Sequence, residues 1–193
     1  MRHVISALVI NEPGVLAGVA GMFSARGFNI DSLVVGRTEE PNLSRMTIVV
    51  NADDNTLDQV RKQLAKLVPV VQVGDFKGDA YIERDLALIS ISVTTQNRSQ
   101  VIETTNLFRG KVVDVSRESV MVEMSGEEEK IEAFIDLMRD YGIKELARTG
   151  VIAMARGTQM VRDEAAAVGA DKTEGGKRKR SLNAPGAPAL PPS

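Results

Sequence analysis

The residues best placed to do chemistry are Asn11-Glu12-Pro13-Gly14-Val15-Leu16. They stand between an apolar strand pattern, Val4 to Ile10, and an amphipathic helix pattern, Val15 to Ser24, so the run predicts a strand-to-helix turn. Asn11 suits the helix entry, and Pro13 suits the first turn, where a backbone N–H goes unpaired anyway. Gly14 removes a side chain where a ligand could approach the backbone. Free N–H groups at a helix start attract a carboxylate or phosphate. No phosphate-cradling lysine follows, and Val15 and Leu16 make the surroundings apolar. A small amphipathic anion, such as an amino acid, fits better than a nucleotide. Taken alone, the run favours a capped helix with a tight turn over a site.

Other chemistry-bearing residues read more simply. His3 is the single histidine and Cys is absent, which leaves no familiar metal site or nucleophilic pair and excludes disulfides and zinc–thiolate centres. Asp53-Asp54 and Glu127-Glu128-Glu129 precede helix patterns, where acidic residues favour the positive helix end. That reading is preferred to a metal site. Lys177-Arg178-Lys179-Arg180 is expected to be a solvated charge run.

The elements that position these residues follow one pattern twice. In the first half, strands are predicted over Val4 to Ile10, Phe28 to Gly36, Arg45 to Val50 and Val70 to Phe76. One helix carries Val15, Leu16, Val19, Met22 and Phe23 on one face and stops at Gly27. A second carries Leu57, Val60, Leu64 and Leu67, with cap candidates in Asp53 to Asn55. In the second half, strands are predicted over Leu86 to Val93, Lys111 to Val115, Ser119 to Met124 and Ile143 to Ala155. Its helices carry Val101, Ile102, Thr105 and Phe108, then Ile131, Phe134, Ile135 and Met138, ending at Gly110 and Gly142. The expected fold class is α+β: two ferredoxin-like βαββαβ domains, 1–77 and 80–157, joined by the polar link Lys77-Gly78-Asp79, plus a disordered tail over 158–193. Each sheet has one face covered by helices, so its other face must be solvated or paired with another sheet or subunit.

Composition supports this plan. Hydrophobic residues are 43% of the 193, enough for two small cores, while aromatics are only 4% and Trp is absent. A net charge of -2 gives no global reason to expect nucleic-acid binding. No apolar run approaches the roughly 20 residues of a membrane span, and no signal-peptide layout is visible, so a cytoplasmic protein with no membrane partner is expected.

Read in order, Asn11 to Leu16, Arg26-Gly27-Phe28-Asn29-Ile30-Asp31-Ser32-Leu33, Ser44-Arg45-Met46-Thr47-Ile48, Phe108-Arg109-Gly110-Lys111-Val112-Val113-Asp114-Val115 and Arg148-Thr149-Gly150-Val151 resemble the small regulatory subunit of acetolactate synthase. The resemblance covers roughly Met1 to Gln159, with an ACT domain in the first half. It implies a chain without an active site. Thiamine diphosphate, FAD and magnesium would sit on a catalytic large subunit that condenses pyruvate with pyruvate or 2-oxobutyrate. The small subunit would activate that partner and confer feedback inhibition by a branched-chain amino acid, usually valine. It also implies a homodimer through the ACT domain, with the effector at the dimer interface. Asn11 and Gly14 would hold the effector's polar end beside Val15 and Leu16. Asn29 and Ile30 would approach from the facing subunit.

Three other readings compete. An enzyme on this fold needs convergent acid, base or nucleophile residues, and no convincing set is visible. An RNA-binding module stacks bases on strand aromatics, and Arg45 to Val50 and Ser119 to Met124 have none. A stand-alone ACT-domain amino-acid sensor with a different partner enzyme is the alternative, and the second-half runs argue against it.

Overall fold

A computed structural model describes residues 1–78 and 80–157. The first half builds a four-stranded antiparallel sheet from β1 (Arg2–Ile10), β2 (Ser32–Arg37), β3 (Leu43–Asn51) and β4 (Val70–Asp75), in the order β2-β3-β1-β4. Period-two alternation decides its faces. Ile5, Ala7 and Val9 of β1 join Met46, Ile48 and Val50 of β3 in one core, roofed by α1 (Val15–Ala25) and α2 (Asp54–Leu64) through Val19, Phe23, Leu57 and Leu64. The second half repeats the plan with β5 (Tyr81–Ser92), α3 (Arg98–Leu107), β6 (Lys111–Val115), β7 (Ser119–Gly126), α4 (Glu128–Arg139), β8 (Ile143–Arg148) and β9 (Ile152–Ala155), in the strand order β6-β7-β5-β8. Ile89, Ile91, Val122 and Met124 form its core with Phe134 and Met138. The chain is therefore α+β with two ferredoxin-like units. The tail expected over 158–193 lies outside the described residues.

Two helices end in the same device. At the end of α1, Phe28 N–H reaches back to the Phe23 carbonyl and Gly27 N–H to Ser24, with Gly27 left-handed at φ 67°. At the end of α3, Gly110 N–H reaches Thr105 and Arg109 N–H reaches Asn106. Here the left-handed position falls on Arg109, φ 56°, the one non-glycine with positive φ among the described residues. That backbone costs an L-residue about 1–2 kcal/mol.

Several boundaries differ from the sequence reading. Gly14, not Asn11, occupies the N-cap of α1, at φ 87°, and no side chain caps the helix. Asn11 lies three residues too early to reach the first-turn N–H groups. β2 begins at Ser32 rather than Phe28, because Asn29 Nδ2 donates to Asp31 Oδ1 at 2.9 Å and turns the chain before it joins β3. β5 begins at Tyr81, five residues early, since Glu83, Arg84 and Asp85 find charged or strand partners. The last strand region divides into β8 and β9 at Thr149-Gly150-Val151.

That division covers the open face of the first sheet. Residues 81–84 of β5 pair with β9 as a two-stranded ribbon. Val151 and Ala153 pack on Val4, Val49 and Phe76, and the Phe76 and Tyr81 rings stack at 4.8 Å. Val151 N–H donates to Ser32 Oγ at 3.3 Å. Arg2 ties the halves electrostatically, 3.0 Å from Glu83 and 2.8 Å from Glu128. Of the alternatives for the open face, part of it is covered by the second half of the same chain.

Candidate functional site

The turn between β1 and α1 is held from outside. Asn11 N–H donates to the Asn42 carbonyl at 2.7 Å, and its Nδ2 donates to the Pro41 carbonyl at 3.1 Å. The side chain thus fastens the β2–β3 turn to the end of β1, and Oδ1 has no hydrogen bond among the described residues. Gly14 is exposed, and a Cβ there would meet nothing within 4 Å. Val15 N–H reaches the Glu12 carbonyl at 3.4 Å, and Gly18 N–H reaches Gly14 at 2.8 Å. The N–H groups between them, on Leu16 and Ala17, have no intrahelical carbonyl within range of an α-helix. The first turn of α1 carries no acidic residue, whereas Asp54 stands in that of α2 and Glu128 and Glu129 in that of α4. The positive end of α1 is therefore open to an anion. Val15 is buried in the core and Leu16 is half exposed beside the turn.

The other expected residues lie elsewhere. Asn29 is exposed and lines a cavity of about 430 Å³ with Arg26, Phe28, Asp53 and Thr56. Ile30 packs against the first core. Both follow the C-terminal end of α1, whereas Asn11 and Gly14 precede its start. At 1.5 Å per residue, eleven residues separate the two groups by about 16 Å. One chain does not bring the six residues Asn11, Gly14, Val15, Leu16, Asn29 and Ile30 together.

Charge around the second group is settled locally. Hydrogen bonds from Thr56 hold the Asp53 carboxyl below its ordinary range, and Lys77 does the same for Asp54. His3 is buried with Nε2 3.1 Å from the Ala52 carbonyl, a structural role. Among the described residues no three or more His, Cys, Asp or Glu side chains are grouped to hold a metal ion, and no helix is long and apolar enough to cross a membrane. Two features escaped sequence reasoning. Pro41 and Asn42 looked like a mere turn, and Ser32 and Gly150 meet across 118 positions of sequence. Only the left-handed need of Gly150 was visible in principle, through its residue type.

Residues 5–72 match the family described as "AHAS small subunit-like ACT domain", and residues 84–157 match "Small subunit of acetolactate synthase". A chain of Archaeoglobus fulgidus named "Probable acetolactate synthase small subunit" is 54% identical over 159 residues, spanning 82% of this chain and 99% of that one. The acetolactate synthase small subunit of Mycolicibacterium smegmatis is 49% identical over 155 residues, 80% of this chain and 91% of that one. The crystal structure of the small subunit from Thermotoga maritima superposes with a TM-score of 0.76 at 42% identity, covering 82% of this chain and 99% of that one. With both halves matched in order, and relatives matched over nearly their whole length, the chain belongs to the acetolactate synthase small-subunit family.

Proposed function

We propose that this chain is a non-catalytic regulatory subunit that activates an acetolactate synthase large subunit and makes it sensitive to a branched-chain amino acid, with valine the first choice. The condensation, and the thiamine diphosphate, FAD and magnesium it uses, belong to the large subunit. The effector's carboxylate would meet the Leu16 and Ala17 N–H groups at Gly14, with Asn11 Oδ1 placed to accept from its ammonium group. Its aliphatic side chain would lie against Leu16.

The observation that carries this reading is the composition of α1. Ser24 is the single polar side chain among its eleven residues, yet Leu16, Ala17, Gly18 and Gly21 are exposed. A helix apolar on all sides is normally buried. Its exposed face and the unpaired edge of β2 call for a second copy of this chain. A twofold pairing that sets two α1 helices side by side in opposite directions would carry Asn29 and Ile30 of one copy toward Gly14 of the other. The site is thus completed by a homodimer.

The test mixes the purified chain with its cognate large subunit at saturating cofactor and titrates valine, leucine and isoleucine by calorimetry. Activation on mixing, and one calorimetric site per chain, are expected. An unchanged rate, with no heat from any of the three amino acids, refutes the reading.

A further inference from the structure

We infer that Leu107, Arg109 and Lys130 form a docking patch for an acidic and aliphatic segment of the catalytic large subunit. The inference rests on the family's two-subunit organisation proposed above. It starts from a comparison of the two halves. The helices α1 and α3 are equivalent and end in the same hydrogen-bonded motif, whose left-handed position suits glycine. The first half uses Gly27 there, but the second uses Arg109. Gly110, the next residue, is closely packed instead: a Cβ there would lie 2.7 Å from Met124 Cε, 3.1 Å from Thr105 Cγ2 and 3.3 Å from the Glu123 carbonyl. The arginine is thus held in a disfavoured backbone conformation, and packing gives no reason for its side chain.

Nor do the other described residues use that side chain. Arg109 is exposed, and its guanidinium has no hydrogen bond or ion pair among the described residues. Beside it, Leu107 is 77% exposed. These two residues, with Phe108 and Lys130, line a shallow cavity of about 410 Å³. Its floor is rigid: the Phe108 ring meets Phe134 of the second core edge-on at 5.4 Å, and Lys130 is folded over Gly126 with Nζ 3.0 Å from the Ser125 carbonyl. A fixed aromatic floor, an exposed leucine and a free guanidinium are what an interface anchor needs. Two cations at the rim select a carboxylate, and Leu107 with Phe108 selects an aliphatic neighbour.

A twofold contact centred on this patch would set Arg109 and Lys130 against their own images, cation against cation, which disfavours a second copy as the occupant. Edge-to-edge strand pairing is also blocked nearby. The β6–β7 register shifts between Val112 and Asp114, so Val113 bulges from the sheet edge.

The test compares Arg109→Gly, Arg109→Glu and Leu107→Ser in the full chain, measuring Kd for the cognate large subunit alongside Tm and oligomeric state. Arg109→Gly removes the binding group while relieving the backbone, so it should weaken binding with Tm unchanged or raised by up to about 4 °C. Arg109→Glu should weaken binding about tenfold or more, and Leu107→Ser severalfold. Variants that bind within twofold of a parent that itself binds overturn the patch and leave the regulatory reading standing. A parent that neither binds nor activates overturns both. An altered oligomeric state with an unchanged Kd overturns the patch in favour of a second copy. A lowered Tm for Arg109→Gly overturns it in favour of a structural role.

Discussion

Gly150→Ala probes the contact that joins the two halves. Gly150 sits at φ 84°, and a Cβ there would lie 2.6 Å from Ser32 Oγ and 2.8 Å from Val34 Cγ2, both on the edge strand of the first sheet. Two costs combine: the left-handed backbone, roughly 1–2 kcal/mol, and overpacking in a tight interface, typically about 1–3 kcal/mol. Gly142→Ala is the control. Its φ is 92°, but a Cβ there meets only Ser92, at 3.6 Å, an ordinary contact. It should therefore carry the backbone cost alone. The difference between the variants isolates the interface, at about 1–3 kcal/mol. For a chain of this size that is about 2–12 °C in Tm. Scanning calorimetry of the two variants measures it directly. Adding Ser32→Ala to Gly150→Ala removes the oxygen nearest the new methyl and should recover part of the difference, while Val34 still obstructs. Equal melting of Gly150→Ala and Gly142→Ala would show that the halves can separate freely at this point, and the packing argument would be wrong.

Gly14→Asp places a carboxylate where the effector's own should meet the α1 N–H groups; losing one charge-assisted hydrogen bond costs about 1.5–3 kcal/mol, tenfold or more in affinity. Asn29→Ala should weaken the same ligand from the facing chain. Both variants should activate the large subunit without feedback, and calorimetry with inhibition assays checks this. Asp85→Ala removes the buried carboxylate that accepts from Arg148 Nε at 2.8 Å and from Thr149 Oγ1 at 3.2 Å. Arg148 keeps Glu132 and Glu128 and is partly exposed, so the loss should be about 1–3 kcal/mol by denaturant titration. Asp53 accepts from Thr56 N–H at 2.7 Å as the N-cap of α2, which holds its pKa below the ordinary value. A depressed carboxyl contributes stability that is whole above the unfolded pKa of about 3.9 and lost as pH falls through the lower folded value. Asp53→Asn keeps the cap, so it should match the parent's Tm at pH 7 and flatten its acid loss below about pH 4. Asp53→Ala should lower Tm at both.

Most of the fold was legible because its signals are local. Val4 to Ile10 is a short apolar run of strand length, and the helical faces of Leu57, Val60 and Leu64 or Ile131, Phe134 and Met138 recur at helical spacing. Gly27 marked a helix end because glycine suits the left-handed stop, whereas at the end of α3 Gly110 marked the right place although the left-handed residue is Arg109. The errors fell where a distant partner overrides local character. The strand was expected to begin at Leu86, but Arg2 and β9 draw Glu83 and Arg84 into it. Asn11 read as a cap, but the turn at Pro41 and Asn42 takes its amide, and no periodicity encodes that pairing. The break at Thr149-Gly150-Val151 was invisible for the same reason. It exists so that Val151 and Ala153 can reach the first sheet, which is a long-range fact. Of the candidate site, the helix start at Gly14 was legible in one chain. The link to Asn29 and Ile30 was not, since one chain keeps the two groups at opposite ends of α1.

That separation has a thermodynamic consequence. If the effector contacts Gly14 of one chain and Asn29 of another, a monomer offers only half a site, and ligand binding is linked to association. Linkage is reciprocal: whatever factor dimerisation contributes to effector affinity, the effector contributes to dimer affinity. Dilution below the dimer Kd should therefore remove effector binding and feedback together, and saturating valine should restore the dimer at those concentrations. The face to be covered, Leu16 with the small residues of α1 and Val35 on the edge of β2, is apolar but shallow, so a dimer that an effector can tighten measurably is the expected regime. Sedimentation equilibrium at several valine concentrations reads this without any large subunit present. A dimer Kd that does not move with valine, in a protein that binds valine, would place the whole site within one chain, and α1 is too long for the residues named here to form it.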